Sequence, residues 1–566
     1  MYHILKMSLL SSVPANLWRL LRNARARLLG RPPDYVWLEV SGSLPEFEQK
    51  VGFLRRRVSP GPPAPSLEGL RERLDRISAD GRPKGVILRV RDLGAGWTAL
   101  EELRMELARF RGRGGRVVAY LTEPDTRTYY LACAADEVFA SPVSTVNVTG
   151  VRATVNFLKD GLDGIGIEAE VISVSPYKSA GDTFTRNDFS EEAREQAERL
   201  LDARFATLVE AISEGRDMTV EEARAKIDHA PFSAREALDE SLLDGVCYED
   251  ELNERLGTEE KRTTLAEWGR ARRTLRMPYR TLSRRRVGIV SLSGAIVRGR
   301  SRKLPVPLPL VGGEQAGSES VIGALRGAEK DRRVAVVLFY VDSPGGDALA
   351  SDLIWREVER IRARKPVVVL MGAAATSGGY YVSASASHVI ARRGTITGSI
   401  GVIITRPIAT GLYEKLGVNP VALDRGAHAG LMDVSRPPTP EELDILRRQL
   451  GNFYDEFKDR VSKGRGMDLE PLERIAGGRV WTGSEALELG LVDEVGGFRD
   501  ALRKAAELGE AVDDPESIIK VSPPRTGRPT PGDPVEAARE AVETMLQAAG
   551  ELRGVWAIAP YEVSEG

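Results

Sequence analysis

The stretch "KPVVVLMGAAATSGGYYVSASA" (365–386) sets one hydroxyl, Ser377, between an apolar run and a Gly-Gly step. A serine at a strand-to-helix turn presents a rigidly held Oγ, the form that a nucleophile in acyl transfer requires. The tetrahedral oxyanion of that chemistry needs preorganised backbone N–H donors. Upstream, "DSPGG" supplies Gly345 and Gly346, whose missing Cβ atoms let main chain come close to a substrate. The N–H of Gly378, directly after Ser377 and opening a helix, offers a second donor. The same glycines would also serve tight helix–sheet packing, so the pattern alone leaves both readings open.

The elements that must position these residues occur twice. "WLEVSGSLPE" (37–46) is echoed by "IVSLSGAIVR" (289–298), and "KGVILRVRDLGAG" (84–96) by "VAVVLFYVDSPGG" (334–346). "RTYYLACAADEV" (127–138) is echoed by "GGYYVSASASHV" (378–389), and "ISEGRDM" (212–218) by "VSKGRGM" (461–467). "PFSAREALDESLLDGV" (231–246) is echoed by "VWTGSEALELGLVDEV" (480–495). Five matches in one order, offset by about 250 residues, indicate two copies of one domain, with a period far too long for a solenoid. In the second copy the pattern predicts strands at 287–292, 334–341, 366–371 and 388–391. It predicts helices at 347–363, 378–386 and 439–463. Strand–helix alternation implies an α/β layered domain with a largely parallel sheet.

The copies differ where chemistry would sit. Thr126 stands at the position of Ser377, and "DLGAG" replaces "DSPGG". The partner base stays open at this point. Of four histidines, His388 starts a predicted strand and faces Glu137 in the other copy, which makes it structural, and His3 and His229 are poorly placed. His428, in the loop "DRGAHAGLMD", remains a candidate. A lysine is the alternative. "SPYKSAGDTFTR" (175–186) aligns with "RGAHAGLMDVSR" (425–436), and Lys178 falls opposite Ala427. The serine is thus confined to copy two and the lysine to copy one. A lysine near its usual pKa of about 10.4 is protonated at neutral pH, but burial disfavours the ammonium and can free the amine to act as a base.

Together, "DSPGG", "ATSGGYYVSASA", "TGSIGV" (397–402), "YKSAGDTFTR" and "WTGSEALELGLVDEVGG" resemble the tandem-domain signal peptide peptidase A family. The likeness runs from about residue 35 to 506. It implies an α/β fold of two tandem crotonase/Clp-protease-like domains and a serine endopeptidase with a Ser-Lys dyad, acting on hydrophobic peptides such as remnant signal peptides. By the same resemblance Ser377 is the nucleophile, Lys178 the general base and Ser399 the residue that orients the lysine. Gly345 and Gly378, with Gly346 beside them, match the oxyanion hole. The resemblance implies no cofactor and no metal, a homo-oligomer (a tetramer), and association with the bacterial inner membrane. Three other readings compete. A Clp-type Ser-His-Asp peptidase would want a histidine near "TGSIGV", which has none. A crotonase-fold acyl-transfer enzyme would use the N–H groups without a nucleophile. A non-catalytic membrane-associated scaffold would need neither.

Length and composition bound the rest. The chain has 566 residues, 42% of them hydrophobic, and a formal charge of −2, which implies more than one domain and gives no bulk charge for nucleic acid. Cys133 and Cys247 are far apart and lack metal-ligand spacing. Five segments follow. Residues 1–33 form a basic amphipathic N-terminal segment, where Leu17, Trp18, Leu20, Leu21, Leu28 and Leu29 interleave with Arg19, Arg22, Arg25 and Arg27. Such a helix suits a membrane surface, and no run is long and apolar enough for a spanning helix. The first, lysine-bearing repeat covers 34–260, a basic linker 261–286, and the serine-bearing repeat 287–506. A linker and a helix at 535–553 complete 507–566. The Pro/Gly-rich stretch 302–317 is expected as a mobile loop near the second site.

Overall fold

The computed structural model describes residues 16–48, 65–258, 262–279, 285–308, 312–515, 518–523 and 554–558, with backbone alone at 304–308, 312 and 554–558. The chain packs into two compact units: Met1–Arg152 with Leu201–Leu282, and Ala153–Leu200 with Ser283–Gly566. These units do not follow the repeat boundaries. The segment Ala153–Leu200, part of the first repeat by sequence, packs with the second.

In the first unit six strands lie side by side, all parallel. Their order is Gly245–Val246, Glu137–Ala140, Arg116–Leu121, Gly85–Val90, Tyr35–Val40 and Leu265–Glu267. Both faces are covered, which is why these strands read as near-continuous apolar runs. One face carries Val36, Leu38, Val86, Leu88, Val117 and Ala119 into the main core. The other carries Tyr35, Trp37, Ile87, Val118 and Tyr120 against Leu252 and Leu256.

The second unit repeats this order with Glu494–Val495, His388–Ala391, Val367–Thr376, Val334–Ser343, Arg286–Ser293 and Ile519–Lys520, again all parallel. The expected helices form as Ala348–Arg362, Gly378–Ser383 and Pro440–Arg465. The echoed motifs have matching jobs. Tyr129 Oη donates to the Leu242 carbonyl at 2.7 Å, and Tyr380 Oη to that of Leu491 at 2.9 Å. Ser213 and Ser462 each donate to a methionine carbonyl five residues on, at 2.6 Å. Arg216 clasps Asp244 as Arg465 clasps Asp493.

Three expectations change. The stretch 261–286, expected as a basic linker, contributes to the fold: Leu265–Glu267 is the edge strand beside Tyr35–Trp37, and Ala271 and Leu275 on and after the helix Trp268–Thr274 are buried. A three-residue strand is set by its neighbour, not by its own pattern. The stretch 302–317 forms antiparallel strands, Arg302–Leu308 and Gly312–Gly317, and the proline-bearing one lies at the sheet edge, where a missing N–H is tolerated. Ile519–Lys520 likewise joins the sheet from within the expected tail linker. The helix expected at 535–553 lies outside the described residues. The N-terminal helix spans residues 16–28. It buries its polar side: Asn23 exchanges hydrogen bonds with Met277 at 2.7 and 3.0 Å, and Arg19 donates to the Pro278 carbonyl. Leu17, Trp18, Leu20, Leu21, Leu28 and Leu29 are left exposed.

Two helices on the first unit, Leu67–Asp80 and Trp97–Gly112, meet through a buried ionic cluster. Arg71 lies 2.8 Å from Glu46, 3.1 Å from Glu102 and 3.2 Å from Glu106. Removing one partner of such a cluster leaves buried charge uncompensated, at a cost of about 3–5 kcal/mol. Arg71→Met should therefore lower the thermal transition of this unit by several degrees, read by calorimetry, whereas an exposed change such as Arg113→Met should leave it nearly unmoved.

Candidate active site

The strand Val367–Thr376 outruns its counterpart Arg116–Leu121. Its added end pairs with Ile396–Gly398, with Thr376 opposite Gly398. Ser377 follows at once. It sits at φ 54°, ψ −113°, as the residue before the helix Gly378–Ser383. A non-glycine residue held there costs on the order of 1–3 kcal/mol, so the surroundings must enforce it. They do so through Ser377 N–H to the Gly398 carbonyl at 2.8 Å and Tyr381 N–H to the Ser377 carbonyl at 2.8 Å. Thr126 has no such geometry: it lies inside a helix capped by Asp125 and donates to the Gly150 carbonyl at 3.0 Å.

Beside Ser377 runs the glycine turn. A Cβ at Gly378 would meet Ser351 Oγ at 2.5 Å and Gly345 Cα and Gly346 N at 3.2 Å, so this approach requires glycine. Gly345 lies at φ 106°. Its N–H donates to Ser343 Oγ at 3.2 Å, and Thr376 Oγ1 donates to the Pro344 carbonyl at 3.0 Å, tying the turn to the serine strand.

Lys178 comes to this serine within the same compact unit. Its Nζ is 2.7 Å from Ser377 Oγ, 2.9 Å from Ser399 Oγ and 3.0 Å from the Ser399 carbonyl. Lys178 is 1% exposed, and Ser377 and Ser399 are fully buried. Burial alone pushes the lysine well below its ordinary range. Ser399 is held at φ 51°, with its N–H on the Arg479 carbonyl at 2.6 Å. Ser377 Oγ also lies 3.3 Å from the Gly401 carbonyl.

The lysine segment is fixed by its own strand. Glu168–Ser173 pairs antiparallel with Ile403–Ile408. Ser175 Oγ donates to the Gly477 carbonyl at 2.6 Å, and Gln196 bridges the Tyr177 carbonyl and the Val480 N–H at 3.1 and 2.9 Å. Arg479 stacks on Tyr177 at 3.5 Å.

The structure brings Ser377, Lys178, Ser399, Gly345, Gly346 and Gly378 together. The histidines lie elsewhere: His428 is exposed, and His388 is 3.1 Å from Glu494 at the far side of the sheet strands. Sequence reading missed Gly478. At φ 88°, it packs so tightly that a Cβ there would lie 2.6 Å from Lys178 Cα and Cβ. A signal existed, since the first repeat has Asp228 and His229 where the second has Gly477 and Gly478. Gly478→Ala should displace the lysine, lowering kcat at least ~10-fold and shifting the midpoint of the pH–rate curve, because a misplacement of about 1 Å is costly at a reacting centre. Gly451→Ala, where a Cβ meets open space, should change neither.

The sequence profile of Peptidase family S49 matches residues 109–263 and 359–512, one span in each repeat. The chain is similar to "Serine protease SPPA, chloroplastic" of Arabidopsis thaliana, 32% identical over 475 residues, covering 82% of this chain and 69% of that protein. It is similar to "Protease 4" of Haemophilus influenzae, 31% identical with 76% and 71% covered. It is also similar to "Protease 4" of Salmonella typhi, 29% identical with 84% and 78% covered. With both repeats matched and these likenesses spanning most of the chain, the protein belongs to Peptidase family S49 and is a serine-type peptidase with two tandem S49 domains on an α/β fold.

Proposed function

We propose that the chain is a serine endopeptidase in which Ser377 is the nucleophile and Lys178 the general base, and that it cleaves hydrophobic peptides such as spent signal peptides. The observation that carries this is the donor count at Nζ. A neutral amine has two N–H groups and one lone pair. The Ser399 carbonyl, 3.0 Å away, can only accept, and Ser399 Oγ, 2.9 Å away, can take the second N–H. The lone pair is then left for the hydroxyl of Ser377 at 2.7 Å. An ammonium would have no lone pair, and burial disfavours it.

The steps follow. Ser377 Oγ attacks the peptide carbonyl carbon while its proton passes to Nζ. The oxyanion forms against the N–H of Gly378 and the main chain of Gly345 and Gly346. The new ammonium then gives its proton to the leaving amine as the C–N bond breaks. Water, deprotonated by the regenerated amine, releases the acid from the acyl-serine. A crotonase-type acyl transfer or a scaffold role has no use for an amine buried against a strained serine.

Ser377→Ala and Lys178→Ala should each lower kcat/KM by at least ~10³-fold, and the double variant should be no worse than either, because the pair acts as a unit. His428→Ala should stay within twofold. A Lys178→Ala chain with near-normal turnover alongside a dead His428→Ala would replace the lysine by a histidine base. Only the neutral amine works as base, so kcat/KM should rise with pH through one ionisation well below 10.5 and then level.

Membrane association is proposed on the N-terminal helix, whose apolar residues face outward beside Arg25 and Arg27. Among the described residues no helix is long and apolar enough to cross a membrane. The helix would lie in the interface, with its arginines on anionic headgroups. The full chain should bind anionic vesicles, less so in high salt. Leu17→Ser/Trp18→Ser/Leu21→Ser should abolish this, and equal binding by that variant would end the idea. The resemblance also implies a homo-oligomer, which we retain as a proposal.

A further inference from the structure

The strand that delivers Ser377 is not regular. Val367–Thr376 pairs in step with Val334–Ser343 from Val337 opposite Val367 to Val341 opposite Met371. The next pair is Ser343 opposite Ala375, so Asp342 alone faces Gly372, Ala373 and Ala374. The serine strand therefore carries a bulge, and register resumes only two residues before Ser377. Its other edge is interrupted at the same place. His388–Ala391 pairs with it as far as Leu370, and Ile396–Gly398 takes over at Ala374.

Side chains bond to the main chain where the strands part. The Ala374 N–H donates to Asp342 Oδ1 at 3.2 Å, and the Ala373 N–H bonds to the same carboxylate. Tyr340 Oη donates to its Oδ2 at 3.3 Å. Thr395 Oγ1 donates to the Gly372 carbonyl at 2.7 Å, and Thr397 Oγ1 to that of Ala375 at 2.8 Å. A Cβ at Gly372 would lie 2.5 Å from Asp342 Cγ, so the carboxylate is seated directly on the bulge.

The first repeat lacks this arrangement. Asp92, at the head of "DLGAG", accepts the Gly42 N–H at its carbonyl at 3.0 Å, as Asp342 accepts that of Gly294 at 2.9 Å. Yet Asp92 is exposed, and Gly85–Val90 pairs with Arg116–Leu121 without any shift. The bulge and its carboxylate thus accompany the serine and not the shared scaffold. Bulges re-aim the side chains that follow them, and a carboxylate on main-chain N–H groups makes a strong, charge-assisted bond.

We infer that Asp342 is a positioning residue of the peptidase: its carboxylate holds the bulge at Gly372–Ala374 and thereby sets Ser377 against Lys178. The inference rests on the peptidase reading of the site. Asp342 acts through the strand and does not touch the reacting atoms.

The test uses the full chain, a short apolar fluorogenic peptide and a fluorophosphonate that labels Ser377. Asp342→Ala should lower kcat at least ~10-fold with KM within twofold, and should slow labelling by a similar factor, because small displacements are costly at a reacting centre. Asp342→Asn, which keeps one acceptor oxygen, should recover part of both rates. Gly372→Ala, which crowds the carboxylate and leaves its charge in place, should lower both rates as Asp342→Ala does. Asp92→Ala should leave both within twofold. If Asp342→Ala does not fold, Asp342→Asn decides: a kcat at least threefold lower with an unchanged thermal transition supports the inference, and an unchanged kcat overturns it. Normal kcat and labelling in Asp342→Ala and Gly372→Ala would overturn it and leave the peptidase reading intact. So would a fall in thermal transition with both rates unchanged, which is what a merely structural carboxylate would give. An unaltered chain that neither cleaves peptide nor labels at Ser377 ends the peptidase reading, and the positioning role falls with it.

Discussion

One buried amine constrains the rest of this structure. Taking a lysine out of water costs free energy, and burial holds Lys178 well below its ordinary range. That cost must be met by the packing that encloses Lys178. The enclosing contacts are correspondingly dense. A six-residue strand pairs along its full length with Ile403–Ile408, Gly478 presses on the lysine backbone, and Gln196 and Ser175 close hydrogen bonds on either side. Ser399 then does two things at once. Its carbonyl and Oγ, 3.0 and 2.9 Å from Nζ, give a desolvated amine the hydrogen-bond partners it must not lack, and they fix the direction of the lysine side chain.

The second constraint is strain at Ser377, and the two repeats isolate its cause. Both have the same six-stranded parallel order, the same buried tyrosine and the same arginine–aspartate clasp. Only the second extends its third strand to pair with Ile396–Gly398 and packs glycines at the turn so closely that a Cβ on Gly378 would lie 3.2 Å from Gly345 Cα. Scaffold and chemistry are thus separable within one molecule. The shared features are those a parallel sheet needs, and the unshared ones are those that hold one hydroxyl rigidly at a strand-to-helix turn.

Much of this was legible in sequence. Long apolar strands such as Val334–Ser343 announce themselves, because burial on both faces leaves no room for polar residues. That Ser377 and Lys178 would lie together was legible through divergence: the other copy has Thr126 and Ala427 at their positions. What escaped was set by distant neighbours. Leu265–Glu267 and Ile519–Lys520 are too short to carry a pattern, and each is a strand only because Tyr35–Trp37 or Gly288–Ile289 lies beside it. Gly478 mattered for an absent atom near Lys178, which no periodicity records. The N-terminal helix was legible as amphipathic, but not that its arginine and asparagine would turn inward to Pro278 and Met277.

The meeting of Lys178 with Ser377 has its own consequence. Lys178 belongs by descent to the first repeat, yet the segment that carries it packs with the unit of the second. Neither repeat encodes a complete site. Burial pushes the Lys178 amine toward its neutral form, and the segment that carries it is anchored where Glu168–Ser173 pairs with Ile403–Ile408.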